Sequence, residues 1–399
     1  MSSLISVDEA LAYIESLRPS TRIEHVSLDA ALGRRLVEPV KALRTQPPQS
    51  VSAMDGYAVR LADVKTPNQK LIVIGSAPAG HPFEGSLQAG QAVRVFTGSV
   101  IPDGADHVVI QEVVTRDGDA MICAEAQTVA KHVRAAGIDF SAGDTLIEAG
   151  CILSPQHLAV AAASNNSELA VTRRLKVGLI ANGDELKPPG SVLEPGEIIN
   201  SNPYGLKGLI ARWGGEAIDL GIASDSVEAI HAAMDQRDDI DIFVPIGGAS
   251  VGDHDHMRTA FRARGFQPVF EKIAVRPGKP TWFSKGDHAL VLGLPGNPAS
   301  AMVCAFLFLA PLLGGPLSGR TVKGRLTADL SENGGREHYV RAVASLTPDG
   351  ALEFKPASSQ DSSLLYPFLT CNALLRRRPH AQSAAAGTLI EAILIAEIQ

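Results

Sequence analysis

Cysteine is scarce: the 399-residue chain has four, Cys123, Cys151, Cys304 and Cys371, far apart and with no CxxC pair. That spacing disfavours a zinc ribbon or a disulfide framework and fits a reducing cytoplasm. Long apolar runs are missing too. The most apolar stretch, Ala301 to Leu313, contains Pro311 and is far shorter than the roughly 20 residues of a membrane span. It is expected to be a buried helix, and no membrane partner is expected. Excess charge of either sign is absent: 36 Lys+Arg against 43 Asp+Glu leaves −7. A generic nucleic-acid-binding surface is therefore excluded, while a local basic site for a small anion is not. The start of the chain carries Asp8 and Glu9 early, with no basic stretch before a long apolar run, and does not read as a signal peptide. No GxGxxG, GxxxxGK[ST] or GxSxG loop occurs at the expected strand ends, which argues against dinucleotide, P-loop and hydrolase chemistry.

What remains is a globular composition, 45% hydrophobic and 20% charged, at a length that suggests roughly two to four domains. Residues 1–50 look helical, with Ser6 or Asp8 capping a helix over Glu9–Leu17, until Pro47 and Pro48 break the pattern. Residues 51–139 hold short β-branched runs between turns: Leu71–Gly75, Ala92–Phe96 and His107–Glu112. Residues 140–172 turn helical again at Ser154-Pro155. If they rejoin the first segment, the β-rich region is an insertion. Residues 173–318 alternate strands (Leu175–Ala181, Ala217–Ile222, Ile240–Ile246, Ala289–Leu292) with helices (Tyr204–Trp213, Val227–Gln236, His256–Arg264, Pro298–Leu309). This pattern predicts a parallel sheet covered on both faces. Residues 319–399 return to short strands: His338–Leu346, Leu352–Pro356, Ala373–Arg376 and Thr388–Ile395. The fold class is a multidomain α/β protein.

Ligands of such sheets bind beyond the carboxyl ends of the strands, and three unusual loops fall there. Asn182-Gly183-Asp184-Glu185 offers a tight turn and two carboxylates, with a solvated acidic loop as the plain alternative. Gly247-Gly248-Ala249-Ser250-Val251-Gly252-Asp253-His254-Asp255 offers backbone N–H groups for an anion. Its Asp253 and Asp255 suit a divalent cation beside a phosphate, although the glycines could serve only the turn. Gly293-Leu294-Pro295-Gly296-Asn297-Pro298 is first of all a helix cap, with Asn297 at the N-cap and Pro298 at the first helical position. Arg276-Pro277-Gly278-Lys279-Pro280, with Lys272 upstream, adds cations near the same rim. Asp225 follows another strand. His254 and His256 lack a third ligand for zinc, and Arg376-Arg377-Arg378 reads as a solvated strand end. Ser52-Ala53-Met54-Asp55-Gly56-Tyr57-Ala58-Val59 stands outside this sheet, with no role assignable from its residues alone.

Taken together and in order, SAMDGYAV (52–59), RVFTGSVIPDGADHVVIQE (94–112), NGDEL (182–186), INSN (199–202), GGASVGDHD (247–255), RPGKP (276–280) and GLPGNPAS (293–300) resemble the MoeA family of molybdopterin molybdenumtransferases, which includes the gephyrin E domain. The resemblance covers nearly the whole chain. It implies an α/β domain like molybdopterin adenylyltransferase, an inserted β domain, a helical and extended N-terminal segment (1–50 with 140–172) and a C-terminal β-barrel-like domain. It implies a cytoplasmic homodimer in which Asp55 of one protomer faces the α/β domain of the other. It also implies a reaction: molybdate enters adenylylated molybdopterin, with Mg²⁺-dependent release of AMP, and molybdopterin adenylyltransferase is an upstream partner. Asp55, Asp139, Glu185, Asp225 and Asp255 then form the acidic catalytic set, with Glu185, Asp225 and Asp255 on the metal. Thr97, Gly247, Gly248, Ser250, Gly252, Lys272, Arg276, Lys279, Pro295, Asn297, Pro298 and Arg341 are the substrate-binding candidates, Arg341 as a molybdate ligand. Two departures stand out: Asn182 replaces the frequent threonine of TGDEL, and Leu365-Tyr366-Pro367-Phe368 stands where many members have serines. An adenylyltransferase and a peptide-binding scaffold are the alternatives. The long N-terminal region and C-terminal β domain count against the first, and the intact acidic positions against the second.

Overall fold

The computed structural model describes residues 4–20, 22–248, 256–314 and 321–398. Its contacts divide into two compact units, Met1–Thr21 with Arg174–Gln399, and Arg22–Arg173.

In the first unit, a six-stranded sheet runs in the order Glu216–Ala223, Lys176–Asn182, Ile242–Ile246, Leu290–Gly293, Trp282–Lys285, Gln267–Phe270. The first four strands are parallel. The last two are antiparallel, so the expected parallel sheet is mixed at one edge. The connection explains it: four residues separate Trp282–Lys285 from Leu290–Gly293, enough for a hairpin and far too few for a crossover.

Lys176–Asn182, Ile242–Ile246 and Leu290–Gly293 are buried almost throughout, and their alternate residues face opposite layers. Val177, Leu179, Val244 and Leu292 pack with Leu206, Ile210, Trp213 and Phe308. Ile180, Phe243 and Val291 pack on the other side with Ile230, Met257 and Phe261.

The helix Val7–Ser16 contributes Val7, Ala10 and Ile14 to the first of these layers. Residues 4–20 therefore pack with the α/β core rather than with residues 22–50, with which the sequence groups them. The cause is the apolar stripe of that helix, which starts one turn earlier than expected. A reciprocal capping box starts it: Glu9 N donates to Ser6 Oγ at 3.1 Å, and Ser6 N donates to Glu9 Oε2 at 2.8 Å. The apolar stretch from Ala301 is helical and buried as expected. It widens into a π-turn over Ala305–Leu309, just before Pro311, which has no N–H to return to the preceding turn.

Five C-terminal strands, Thr321–Leu326, Glu337–Leu346, Leu352–Pro356, Ala373–Arg377 and Leu389–Leu394, close into a barrel. Glu337–Leu346 pairs with Leu352–Pro356 on one side and with Ala373–Arg377 on the other. Val340, Ala342, Ala344, Phe354 and Leu375 fill its interior. Tyr339 and Arg341 alternate to the outside. The turn at Arg276 is fastened to this barrel, because Val275–Arg276 pairs with Glu337–His338.

The second unit holds a six-stranded sheet in the order His107–Ile110, Gly56–Val59, Gln91–Val95, Gln69–Ala77, Ala120–Cys123, Val114–Asp117. The chain before it meets the chain after it: Ile23–Ser27 pairs with Glu168–Thr172, and Val40–Lys41 with Thr145–Ile147. Residues 22–50 are thus mostly extended. Only Leu28–Ala31 is helical there; Pro39, Pro47 and Pro48 interrupt helix hydrogen bonding, and the short strands find partners after residue 144.

Arg376 and Arg377 are not part of the solvated strand end expected, whereas Arg378 is exposed. Arg376 pairs with the buried Glu337 and with Asp8, at 2.6 Å from the latter, and Arg377 donates to the carbonyls of Ser331 and Gln382. Hydrogen bonding to Arg376 holds the Asp8 carboxyl below its usual range. Asp8 is largely exposed, so the pair is worth less than about 1 kcal/mol. A depressed carboxylate stabilises above its unfolded pKa, and that contribution disappears as pH falls through the folded value. Asp8→Asn should therefore lower Tm slightly at pH 7, and the gap to the parent protein should close on acidification below about pH 4. Paired melts across that range test this, and a gap that persists at low pH refutes it.

Candidate functional site

A cavity of about 740 Å³ opens where the parallel strands end. Three loops build its walls. After Lys176–Asn182 come Asn182, Glu185 and Leu186; after Ile242–Ile246 come Gly247 and Gly248; after Leu290–Gly293 come Pro295, Gly296, Asn297 and Pro298. Two segments not proposed from sequence complete it. Asn200, Ser201 and Asn202 arrive from the turn before the helix Asn202–Arg212, and Ser363 arrives from the barrel. The signal for the first was present in INSN followed by Pro203, a polar run at a helix start. Ser363 and its neighbour Ser362 lie just before Leu365–Phe368, the stretch where many family members carry serines, but in a different register.

The acidic loop has a specific construction. Gly183 has φ +148, and a Cβ there would lie 2.5 Å from Glu185 Oε2. The Glu185 carboxylate therefore folds back over a position whose positive φ favours glycine. Asn182 is 5% exposed, and its Nδ2 donates to the carbonyls of Ala223 and Ser224, both at 3.1 Å. Asp184 Oδ1 in turn accepts from Asp225 N at 3.2 Å. The departure at position 182 thus ties the Glu185 loop to the Asp225 loop. Its Oδ1 is buried without a hydrogen-bond partner among the described residues, against Gly248 (φ +65), where a Cβ would lie 2.4 Å away.

The glycine loop is less free than its sequence suggests. Gly247 N–H is spent on Leu294 O at 3.0 Å, which ties it to the Pro295 loop. Asn202 Nδ2 donates to Gly296 O at 2.7 Å. Ser250, Gly252, Asp253 and Asp255 lie outside the described residues. Of the proposed metal set, Glu185 lines the cavity, while Asp225 is exposed beyond its lining. Among the described residues no three His, Cys, Asp or Glu side chains gather as a metal site. Mg²⁺ commonly takes one or two protein carboxylates beside substrate phosphates and waters. One carboxylate on a polar wall fits that ion.

The cationic candidates separate. Pro280 lines the main cavity, but Arg276, at the other end of the same turn, lines a second cavity of about 210 Å³ with His338 and Arg377. Gly278 between them has φ +115, and a Cβ there would lie 2.1 Å from Cys304 Sγ. Burial, then the charges of Arg276 and its neighbouring arginines, push the His338 imidazole down to about 4, so it is neutral at pH 7. Lys279 is exposed and Lys272 half-buried, and neither lines the main cavity. Arg341, the molybdate-ligand candidate, lies on the barrel strand Glu337–Leu346 and does not line the main cavity. It is 1% exposed, and its guanidinium donates to backbone carbonyls.

In the second unit, pairing of Gly56 with Val95 brings two motifs together. Asp55 Oδ1 accepts from Thr97 N at 2.8 Å and from Thr97 Oγ1 at 3.0 Å. These bonds, the backbone one foremost, hold the Asp55 carboxyl below its usual range. Asp139 is exposed, and its N–H donates to Gln46 O at 3.2 Å.

Known proteins match this arrangement from end to end. Residues 5–164 match the MoeA N-terminal region (domain I and II), 178–315 a probable molybdopterin binding domain, and 323–395 the MoeA C-terminal region (domain IV). The molybdopterin molybdenumtransferase of Haemophilus influenzae is 32% identical over 397 residues, 97% of this chain and 98% of that one. The chain belongs to the molybdopterin molybdenumtransferase (MoeA) family. The Nostoc sp. molybdopterin molybdenumtransferase is 36% identical over 354 residues, 85% of this chain and 81% of the relative. The crystal structure of the molybdopterin biosynthesis MoeA protein from Pyrococcus horikosii superposes with TM-score 0.82 at 28% identity, covering 99% of this chain and 100% of that one.

Two substitutions probe the acidic loop. Gly183→Ala must push the Glu185 carboxylate off the cavity wall. It should lower Tm by the few degrees that about 1–2 kcal/mol of left-handed strain implies, read by thermal melts of the two proteins side by side. Asn182→Ala leaves two carbonyls without their donor and should cost about 1–3 kcal/mol in urea unfolding. A change below about 0.5 kcal/mol, the scatter of ordinary surface substitutions, would deny it that tie.

Proposed function

We propose that this family member inserts molybdate into adenylylated molybdopterin with Mg²⁺-dependent release of AMP. The observation that carries the reading is the cavity, where Glu185 stands among four amide side chains at the ends of the parallel strands. It sits in a chain whose relatives are molybdopterin molybdenumtransferases over nearly their full length. Asn200, Asn202 and Asn297 supply donors and acceptors for a heteroaromatic edge. Ile198, Ile199 and the prolines supply apolar surface for its faces.

Glu185, with Asp225 and Asp255 as further candidates, would hold Mg²⁺. The ion would neutralise charge at the phosphoanhydride that breaks. The chain's own groups do the rest: the amide walls orient the pterin, and the carboxylates disfavour phosphate without a cation. Asp55, kept ionised by Thr97, would act from the partner protomer of a cytoplasmic homodimer, with Asp139 as a second acidic group of the same unit. Ser250, Gly252, Lys272, Arg276 and Lys279 are proposed to hold the phosphate or molybdate oxygens. Adenylylated substrate would arrive from a molybdopterin adenylyltransferase.

Purified protein with adenylylated molybdopterin, Mg²⁺ and molybdate should release AMP. Glu185→Gln should slow release by roughly 10²-fold, the scale of losing one preorganised electrostatic group. Asp55→Ala should also fail alone, and mixing it with Glu185→Gln should restore activity that neither variant has, because hybrid dimers rebuild one complete site. Pterin binding without AMP release, with molybdate or tungstate alike, would defeat the transferase reading. Failure of the mixture to recover would defeat the shared site.

A further inference from the structure

In the second unit, Asp55 is held by more than Thr97. It sits in the turn between the short strands Val51–Ser52 and Gly56–Val59. Antiparallel pairing sets Arg94 directly opposite Tyr57, and alternation puts Phe96 on the same face as Arg94. The Arg94 guanidinium lies 5.0 Å from the centres of both rings. A guanidinium is planar and stacks on aromatic faces, so two rings at once restrict its orientation as well as its place.

The fork of that guanidinium reaches across the strand that Asp55 precedes. Nη1 donates to Gly56 O at 3.2 Å, the carbonyl next along the chain from Asp55, and Nη2 donates to Gln111 Oε1 at 2.6 Å. The N–H of the same Gln111 donates to Asp55 O at 3.1 Å. The strands run in the order His107–Ile110, Gly56–Val59, Gln91–Val95. Arg94 on the third is therefore tied to the residue that follows the first, over the middle one. Asp55 has its carboxylate held by Thr97, beyond the end of Arg94's strand, and its carbonyl held by Gln111. Arg94 links these two anchors. The Thr97 bonds come first in keeping the Asp55 carboxyl ionised, and the charge of Arg94 acts in the same direction.

We infer that Arg94 is a positioning residue for Asp55: by bridging Gln91–Val95 to Gln111 across Gly56–Val59 it fixes where the Asp55 carboxylate points, and it acts on the reaction through that carboxylate rather than by contacting substrate. A carboxylate carried on a turn gains from being aimed beforehand, because about 1 Å of misplacement can cost on the order of 10²-fold in rate. Lysine at position 94 keeps the charge but neither the planar fork that spans Gly56 O and Gln111 Oε1 nor the flat face that meets the two rings. The inference rests on the transferase reading, with Asp55 acting in it, for its kinetic arm only.

The test compares Arg94→Met, Arg94→Lys, Gln111→Leu and Asp55→Asn in the full-length protein, with Arg94→Met/Asp55→Asn as a double variant. Gln111→Leu removes one end of the bridge at an exposed position and keeps the charge, which covers the case of an Arg94 variant that does not fold. Expected is faster exchange of the Thr97 and Gln111 amides, the two that donate to Asp55, in Arg94→Met, Arg94→Lys and Gln111→Leu, with the strand Leu290–Gly293 unchanged. In AMP release, kcat should fall about 10- to 100-fold in Arg94→Met and nearly as far in Arg94→Lys, while the molybdate KM moves by less than about threefold. The double variant should match Asp55→Asn within about twofold, because a residue that acts through Asp55 has nothing left to position. A direct oxyanion ligand predicts the reverse: Arg94→Lys active, molybdate KM raised about tenfold or more in Arg94→Met, losses that multiply in the double variant and unaltered exchange. Either the reversed kinetics or the unaltered exchange overturns the inference. If the parent protein releases no AMP, the transferase reading falls by itself, and the exchange arm still decides whether Arg94 holds Asp55.

Discussion

Everything around the cavity depends on one constraint: four neighbouring strands run parallel, so their carboxyl ends share one rim. A parallel pair cannot be joined by a tight turn. Each connection crosses back over the sheet and re-enters from the far edge. The loops after Asn182, Ile246 and Gly293 are distant in sequence, yet this geometry delivers them side by side. The crossovers also bury both faces of the sheet, which is why its central strands are apolar at nearly every position. Strand ends are where backbone polarity and loop side chains can face a ligand without disturbing that core.

The rim is held by polar groups that each fasten one segment to the backbone of another. Asn182 reaches the Ala223 and Ser224 carbonyls, and Asn202 the Gly296 carbonyl. Gly247 is fixed through Leu294. Such bonds are modest individually, but a buried partner left unpaired costs more than the bond contributes. The wall is therefore cooperative: loosening one tie exposes a desolvated group on the neighbouring loop. It also explains why the barrel is fastened to the α/β sheet at two places near the site, through Val275–Arg276 and through Ser362.

Much of this architecture was legible from local pattern. The strand–helix alternation, the helix starts at Ser154 and Pro298, and the strand Leu352–Pro356 follow from periodicity and capping chemistry, which act over a few residues. The antiparallel edge was not legible, because Gln267–Phe270 and Trp282–Lys285 are short and flanked by charge. Charged residues misled most. Arg376 and Arg377 look like solvent-facing cations in the sequence. In the fold they are consumed by carbonyls and by Asp8 and Glu337. An arginine's partner is set by whatever backbone lies opposite, and sequence spacing carries no trace of that.

The sequence by itself determined the element types, the glycine-bearing turns and the ordered motifs that mark the family, since each rests on short-range sterics, capping and hydrophobic period. Tertiary structure alone decided which of those motifs share a wall. It placed Glu185, Asn202, Asn297 and Ser363 on one cavity and sent Arg276 to another. The reason is physical: cavity membership and the pairing of a charge depend on strand order and crossover direction, which are properties of the whole sheet rather than of any stretch of chain.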